Sequence, residues 1–240
     1  LANPNQVINF INNRFIQWQL NRRNLLCHAA AVARDARGLA MAGFSGMGKS
    51  TLALELMGRD LVFISNDRLM IRRDDRGALQ MLGVPKLPRI NPGTVLNNPY
   101  LESVMPEDER EQVERLSPQE LWDLEQKYDV FIDECFGQGK YRLGAEMVGL
   151  VLLNWQRDGA PLTVARVDLD GRRDLLGAFS KEVGLFFQRD PRTPEPRFEP
   201  ENYLDVMGAC PVFELSGGVD FPRAADLCVE FLHSGKMPRP

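Results

Sequence analysis

Hydrophobic and polar positions follow two periods along this chain, and the switches between them lay out an α/β order. Val7, Ile8, Ile11, Phe15 and Trp18 recur at close to 3.6 residues and predict an N-terminal amphipathic helix with these residues as its apolar face. Asn3 before Pro4 reads as an N-cap followed by proline at the first helical position. The helical period then stops. Leu25 to Val32 and Gly38 to Gly43 are small, continuous apolar runs, the pattern of buried strands, with a turn over Arg34 to Gly38 between them. Ser50 to Met57 returns to helical spacing, with Leu52 and Leu56 inward. Leu61 to Ile64 predicts a short buried strand ending at Ser65, Asn66 and Asp67.

Further on, Leu69 to Leu82 predicts a hairpin turning at Asp74 to Gly77. Residues 83–99 carry four prolines yet also Val84, Leu87, Ile90 and Val95, which predicts an ordered irregular loop anchored by those side chains. Residues 104–127 are strongly charged and predict a mobile or solvated surface, with Ser117, Pro118 and Glu120 suiting a helix start. Glu146 to Trp155 and Thr163 to Val167 read as strands joined by a turn at Arg157 to Gly159. Asp174 to Lys181 suits a helix, and the prolines of 190–200 exclude helix and central strand there. Pro211 to Leu215 and Ala224 to Leu232 read as a last strand and helix. The expected organisation is an N-terminal helix over residues 1–22 and a single α/β core over 23–240.

Composition narrows the classes. The 240 residues are 44% hydrophobic, enough for a sizeable core. A net charge of −4 with interspersed signs argues against general binding to nucleic acid or to an anionic membrane. No apolar run reaches the roughly 18 residues that span a bilayer. Cys27, Cys135, Cys210 and Cys228 are far apart and only His28 and His233 could join them, so reduced structural thiols in a cytoplasmic protein are expected rather than zinc ligands. A chain starting at Leu1 is expected to be trimmed, which leaves an upstream segment open.

The chemistry concentrates in Gly43-Phe-Ser-Gly-Met-Gly-Lys-Ser50, which fits G-x-x-x-x-G-K-[ST]. By average residue usage such a match arises by chance in about one chain of this length in a hundred. Here it falls between an expected strand and an expected helix, the context the motif requires. Gly43, Gly46 and Gly48 allow a tight turn, so that the backbone N–H groups of Ser45, Gly46, Met47, Gly48, Lys49, Ser50 and Thr51 can converge on phosphate oxygens. Lys49 can reach the β- and γ-phosphates, and the Ser50 hydroxyl can bind Mg²⁺. The competing reading is a glycine-rich turn that binds nothing; it leaves a lysine opposing the helix dipole.

Asp67 ends an apolar strand 18 positions after Lys49. Right-handed crossover places the ends of both strands at one sheet edge, so a carboxylate there can hold Mg²⁺ or take a proton from an attacking hydroxyl. A turn or N-cap aspartate is the plainer alternative. His28, alone among alanines, reads by itself as a core histidine.

These residues together resemble a family. Cys27-His28-Ala-Ala-Ala, the 43–56 segment and Phe63-Ile-Ser-Asn-Asp67 are similar to the core of bacterial HPr kinase/phosphorylase, whose phosphate loop and acid are unusually close. Residues 83–93, 122–129 and 217–221 resemble the subgroup called HPr-kinase-related kinase B. The resemblance implies an HPr-kinase-like, phosphoenolpyruvate-carboxykinase-like nucleotide-binding fold, with a mixed sheet flanked by helices. It also implies ATP and Mg²⁺, with Lys49 on phosphates, Ser50 and Asp67 on the metal, and His28 supporting the reacting phosphate or the acid. The chain departs from the pattern at Asn66, where the family has its first acid, at Thr51, where it usually has glutamate, and in lacking a clear match to a later metal-binding glutamate. Asp129, Asp133 or Glu134 is then a substitute metal ligand, and Arg89, Arg142, Arg172, Arg173 or Lys86 a phosphate partner, Arg89 first.

The expected activity is transfer of the γ-phosphate of ATP to a hydroxyl of a protein Ser or Thr or of a small molecule. The alternatives are a regulatory ATP-binding module, which Asn66 favours, and a plain NTPase. The acceptor and any homo-oligomeric assembly are left open by the sequence.

Overall fold

A computed structural model describes residues 4–124, 126–157 and 159–237. Asn3, Glu125 and Asp158, each part of a sequence expectation above, lie outside them.

The chain opens with helix α1 (Pro4–Leu20). The expected apolar stripe is not the buried one. Ile11 is 59% exposed and Val7, Ile8 and Trp18 are also exposed, whereas Ile16 is 2% exposed and Leu20, Asn12, Asn13 and Gln19 are buried. The helix docks through Ile16 and Leu20 against Leu26, Met70 and Val84. A second stripe, rotated from the first, faces the core.

The predicted strand over 25–32 is two strands, β1 (Leu25–Cys27) and β2 (Ala29–Arg34), interrupted at His28. The His28 N–H leaves the ladder and donates to Phe179 O at 2.7 Å. β3 (Arg37–Gly43) pairs antiparallel with β2, and the loop leads to α2 (Lys49–Met57) and β4 (Val62–Ser65). β4 is antiparallel to β2, so β3 and β4 run the same way with β2 between them and end at one edge. The hairpin β5 (Leu69–Arg73) and β6 (Leu79–Gly83) turns where expected, with Asp74 Oδ1 accepting the Arg76 and Ala78 N–H groups.

The proline-rich segment contains β7 (Arg89–Ile90) and α3 (Pro92–Leu96), with Val84, Ile90 and Val95 buried as expected and Leu87 exposed. The charged region folds as a 3₁₀ turn (Pro99–Val104), α4 (Glu107–Val113) and α5 (Pro118–Asp123). Ser117 and Glu120 form the reciprocal cap that their spacing predicts. β8 (Tyr128–Asp129) pairs with β7, and α6 (Ile132–Phe136) follows.

β9 (Gly144–Leu153) is the long central strand. It runs parallel to β3 along one side, and its other side is shared by β6 at its start and β11 (Val212–Gly217) at its end. β10 (Leu162–Arg166) joins β11, so β9 and β10 are not partners: β11 lies between them. The helix expected over 174–181 is only α7 (Arg173–Leu176), because Phe179 and Ser180 instead bond to His28 and Cys27. Helices α8 (Pro200–Met207) and α9 (Phe221–Ser234) complete the chain.

The fold is thus mixed α/β, a curled sheet with helices on both faces. Alternate side chains of β3 and β9 enter two cores: Leu39, Met41, Val151 and Leu153 pack toward α2 and α9, while Ala40, Ala42, Leu150 and Leu152 pack toward α7 and α8. Burial pushes the Cys210 and Cys228 thiols up to about 12, which suits inert structural cysteines. No helix among the described residues is long and apolar enough to cross a membrane.

The shifted face of α1 can be checked by urea denaturation. Ile16→Ala is expected to lose about 2–4 kcal/mol of unfolding free energy, a large-to-small core change. Ile11→Ala is expected to stay within about 0.5 kcal/mol, as exposed positions do.

Candidate functional site

The strand β3 ends at Gly43 beside Leu153 of β9, and this close approach starts the loop. A Cβ on Gly43 would sit 3.0 Å from Leu153 O and 3.1 Å from Met47 Cβ. Gly46 and Gly48 have φ of 84° and 82°, a conformation that favours glycine. At Gly48 a Cβ would also lie 2.5 Å from the ring of Phe221. That ring packs edge-on against Trp155 at 5.0 Å, and Trp155 Nε1 donates to Met47 O at 3.0 Å. Trp155 and Phe221 therefore clamp the loop from behind. Neither was singled out from sequence, because their contacts with the loop arise only when β9 and α9 meet it.

Gly48 caps α2 with its backbone, and no side chain caps the first-turn N–H groups. The start of the helix is left able to receive an anion. Ser45 and Gly46 are exposed at the lip, and Met47 and Ser50 are half-buried. Lys49 is 8% exposed, and its Nζ donates to Gly43 O at 2.8 Å and Phe44 O at 3.2 Å. Burial lowers its pKa, opposed by the attraction of Asp67. Thr51 Oγ1 lies 2.9 Å from Thr94 Oγ1, a bond between α2 and α3 that differs from any role in phosphate binding through its side chain.

Asp67 and His28 meet. His28 Nε2 lies 3.1 Å from Asp67 Oδ1, with side chains 21% and 37% exposed, and Arg68 Nε lies 3.5 Å from Asp67 Oδ2. The break between β1 and β2 turns His28 toward this edge, and Ser65 Oγ donating to Arg68 O at 2.5 Å tightens the turn that presents Asp67. The hydrogen bond from His28 holds the Asp67 carboxyl well below the usual carboxylate range, against the opposing effect of burial. Asn66 Oδ1 is buried without a hydrogen-bond partner.

The other candidates divide. Arg89 pairs with Asp129 at 3.2 Å, across β7 and β8. Together with Lys86, Asp133, Glu134, Phe63 and Tyr141 they border a cavity of about 670 Å³. No residue of the 43–50 loop lines that cavity. Val84, the chain neighbour of the lining residue Pro85, donates its N–H to Arg68 O at 3.2 Å. Arg142 donates to Asp35 O in the β2–β3 turn, the opposite end of β3 from Gly43, and is removed from the site. Arg172 holds the buried Glu214 at 3.0 Å, and Arg173 holds Asp170 and Glu201. Those two arginines are committed to carboxylates rather than to the loop.

The cradle fits an anion such as a phosphate group: it has uncapped N–H groups, glycines where a Cβ would clash, and a buried lysine. For Mg²⁺, Ser50 and Asp67 are the available ligands. Among the described residues no group of three or more His, Cys, Asp or Glu side chains is gathered to hold a metal. One carboxylate and a hydroxyl suit a Mg²⁺ whose remaining ligands are phosphate oxygens and water.

The His28–Asp67 contact has a pH signature. Because the folded Asp67 pKa lies below its unfolded value, its contribution to stability is present above the ordinary carboxylate pKa of about 3.9 and is lost as pH falls through the folded value. In acid denaturation, the stability of the wild type is expected to fall more steeply below about pH 4 than that of Asp67→Asn. Equal slopes would mean that the pair is not formed in solution.

No protein-family model matches the chain, and no curated protein matches it in sequence. Among solved structures, the HPr(Ser) kinase/phosphatase from Coxiella burnetii is 14% identical, with a TM-score of 0.42, the match covering 88% of this chain and 88% of that one.

Proposed function

We propose that this chain is an ATP-dependent, HPr-kinase-like phosphotransferase that moves the γ-phosphate to a hydroxyl. The observation that carries the reading is the His28–Asp67 pair at the sheet edge where the Lys49 loop opens, close enough for Asp67 to act on the charge of Lys49. A loop alone would bind phosphates; a loop beside an acid–base pair can also move a proton.

The loop N–H groups and Lys49 bind and orient the triphosphate. Ser50 and Asp67 would hold a Mg²⁺ ion, which would supply charge neutralisation on the phosphates. The acceptor oxygen bonds to the γ-phosphorus as the bridge to the β-phosphate breaks, and ADP leaves with that electron pair. The hydroxyl proton passes to the His28–Asp67 pair. The lowered pKa makes Asp67 alone a weak base, so its larger part is to orient His28, in the way a carboxylate orients the histidine of a nucleophile–base–acid triad.

One observation favours a second reading, a regulatory ATP-binding module. Asn66 stands where the resembled family has an acid, and an amide cannot accept a proton at neutral pH.

Labelled ATP and Mg²⁺ with cell extract separate the two. Transfer of label to an acceptor is expected, lowered about 10²–10³-fold in Lys49→Ala, the scale of removing one preorganised charge contact, and strongly reduced in Asp67→Asn and His28→Asn. ATP binding without transfer, equal in wild type and Asp67→Asn, would leave the module. Phosphate released without any acceptor would indicate an NTPase.

A further inference from the structure

The cavity of about 670 Å³ shares no residue with the 43–50 loop, yet its lining is that of a ligand site. Its volume lies within the roughly 300–1,000 Å³ of small-molecule pockets. Ile8, Leu87, Phe131 and Tyr141, four large apolar side chains that the chain leaves exposed, all line it. Single exposed apolar side chains are ordinary. Four around one concavity, with charged groups among them, mark a surface that takes a ligand. One part of the lining is aromatic: the Tyr141 ring stacks on the buried Phe63 with centroids 6.2 Å apart.

The charges of the lining converge through the short β7–β8 ladder. Arg89 stands opposite Asp129, so antiparallel pairing brings the chain entering β7 and the chain leaving β8 to the same end. There Val130 N–H donates to Pro88 O at 2.9 Å. Lys86 comes from the first of these segments, and Asp133 and Glu134 from the second. Arg89 and Asp129 satisfy each other at 3.2 Å. Among the described residues, the side chains of Lys86, Asp133 and Glu134 enter no ion pair and no hydrogen bond. The cavity thus offers an unpaired cation and two unpaired carboxylates beside apolar and aromatic surface. An anion would also meet the two carboxylates, and a cation the lysine. A zwitterion with an apolar body answers both signs.

We propose that this cavity binds a short peptide with apolar side chains and both termini free. Its carboxylate meets Lys86, its ammonium meets Asp133 and Glu134, and its side chains lie on Phe63, Phe131 and Tyr141. This site stands apart from the nucleotide reading of 43–50 and does not rest on it.

Calorimetric titration of the full chain with leucyl-phenylalanyl-leucine, without nucleotide, tests it. One-to-one binding is expected. The N-acetyl and the C-terminal amide forms of the peptide are each expected to bind about 5-fold more weakly, the scale of one partly exposed ion pair. Acetylation should then cost nothing further in the double variant Asp133→Asn, Glu134→Gln, and amidation nothing further in Lys86→Met, since each change removes one partner of the same contact. Phe131→Ala should weaken all three peptides alike, which locates them in this cavity. A wild type that does not bind the tripeptide overturns the proposal. So do equal affinities for the three peptides, unaltered losses in the charge variants, or binding indifferent to Phe131→Ala.

Discussion

The constraint on which the site depends is the contact between a glycine loop and two aromatic side chains behind it. Phe221 leaves no room for a Cβ at Gly48, and Trp155 bonds the carbonyl of Met47. These contacts fix the backbone in the turned form that leaves the first N–H groups of α2 uncapped. They also tie the loop to β9 and α9, and so to the larger of the two cores. Loss of either ring would free the loop without touching Lys49 or the first N–H groups of α2. For this reason the loop is better described as a rigid concavity supported by the sheet than as a flexible glycine tract.

The same sheet sets the chemistry beside it. β3 and β4 end together only because β2 lies antiparallel between them. The interruption at His28, where the backbone turns to Phe179, sends the imidazole to the turn that holds Asp67. A continuous strand over 25–32 would have alternated His28 into a ladder and away from that edge. The break therefore converts a residue with the character of a core histidine into half of a hydrogen-bonded pair.

Features encoded by neighbours in sequence were legible in it. The 43–50 motif, the Asp74–Gly77 turn and the Ser117–Glu120 cap each depend on residues a few positions apart, and the structure forms the turn and the cap as their spacing predicts. Features decided by distant partners were not legible. The apolar stripe Val7–Ile11–Trp18 is a genuine helical pattern, yet the helix docks through Ile16 and Leu20, because the strip of sheet it meets selects the face. The short α7, the place of β11 between β9 and β10, and the His28 break all follow from pairings with strands or segments far along the chain. In the site, Lys49, Asp67 and His28 came from spacing and resemblance, while Trp155 and Phe221 needed the fold. Among the proposed arginines, a strong charge in sequence gave no information on the carboxylate it would meet.

The central claim is that the uncapped loop and the start of α2 receive the phosphates of a nucleotide. Amide hydrogen exchange across residues 44–51, with and without Mg²⁺ and a non-hydrolysable ATP analogue, tests it most directly. Slowed exchange confined to those amides and to the turn at Asp67, absent in Lys49→Ala, is the predicted result. Exchange in the loop that is the same with and without nucleotide at saturating concentration would contradict it.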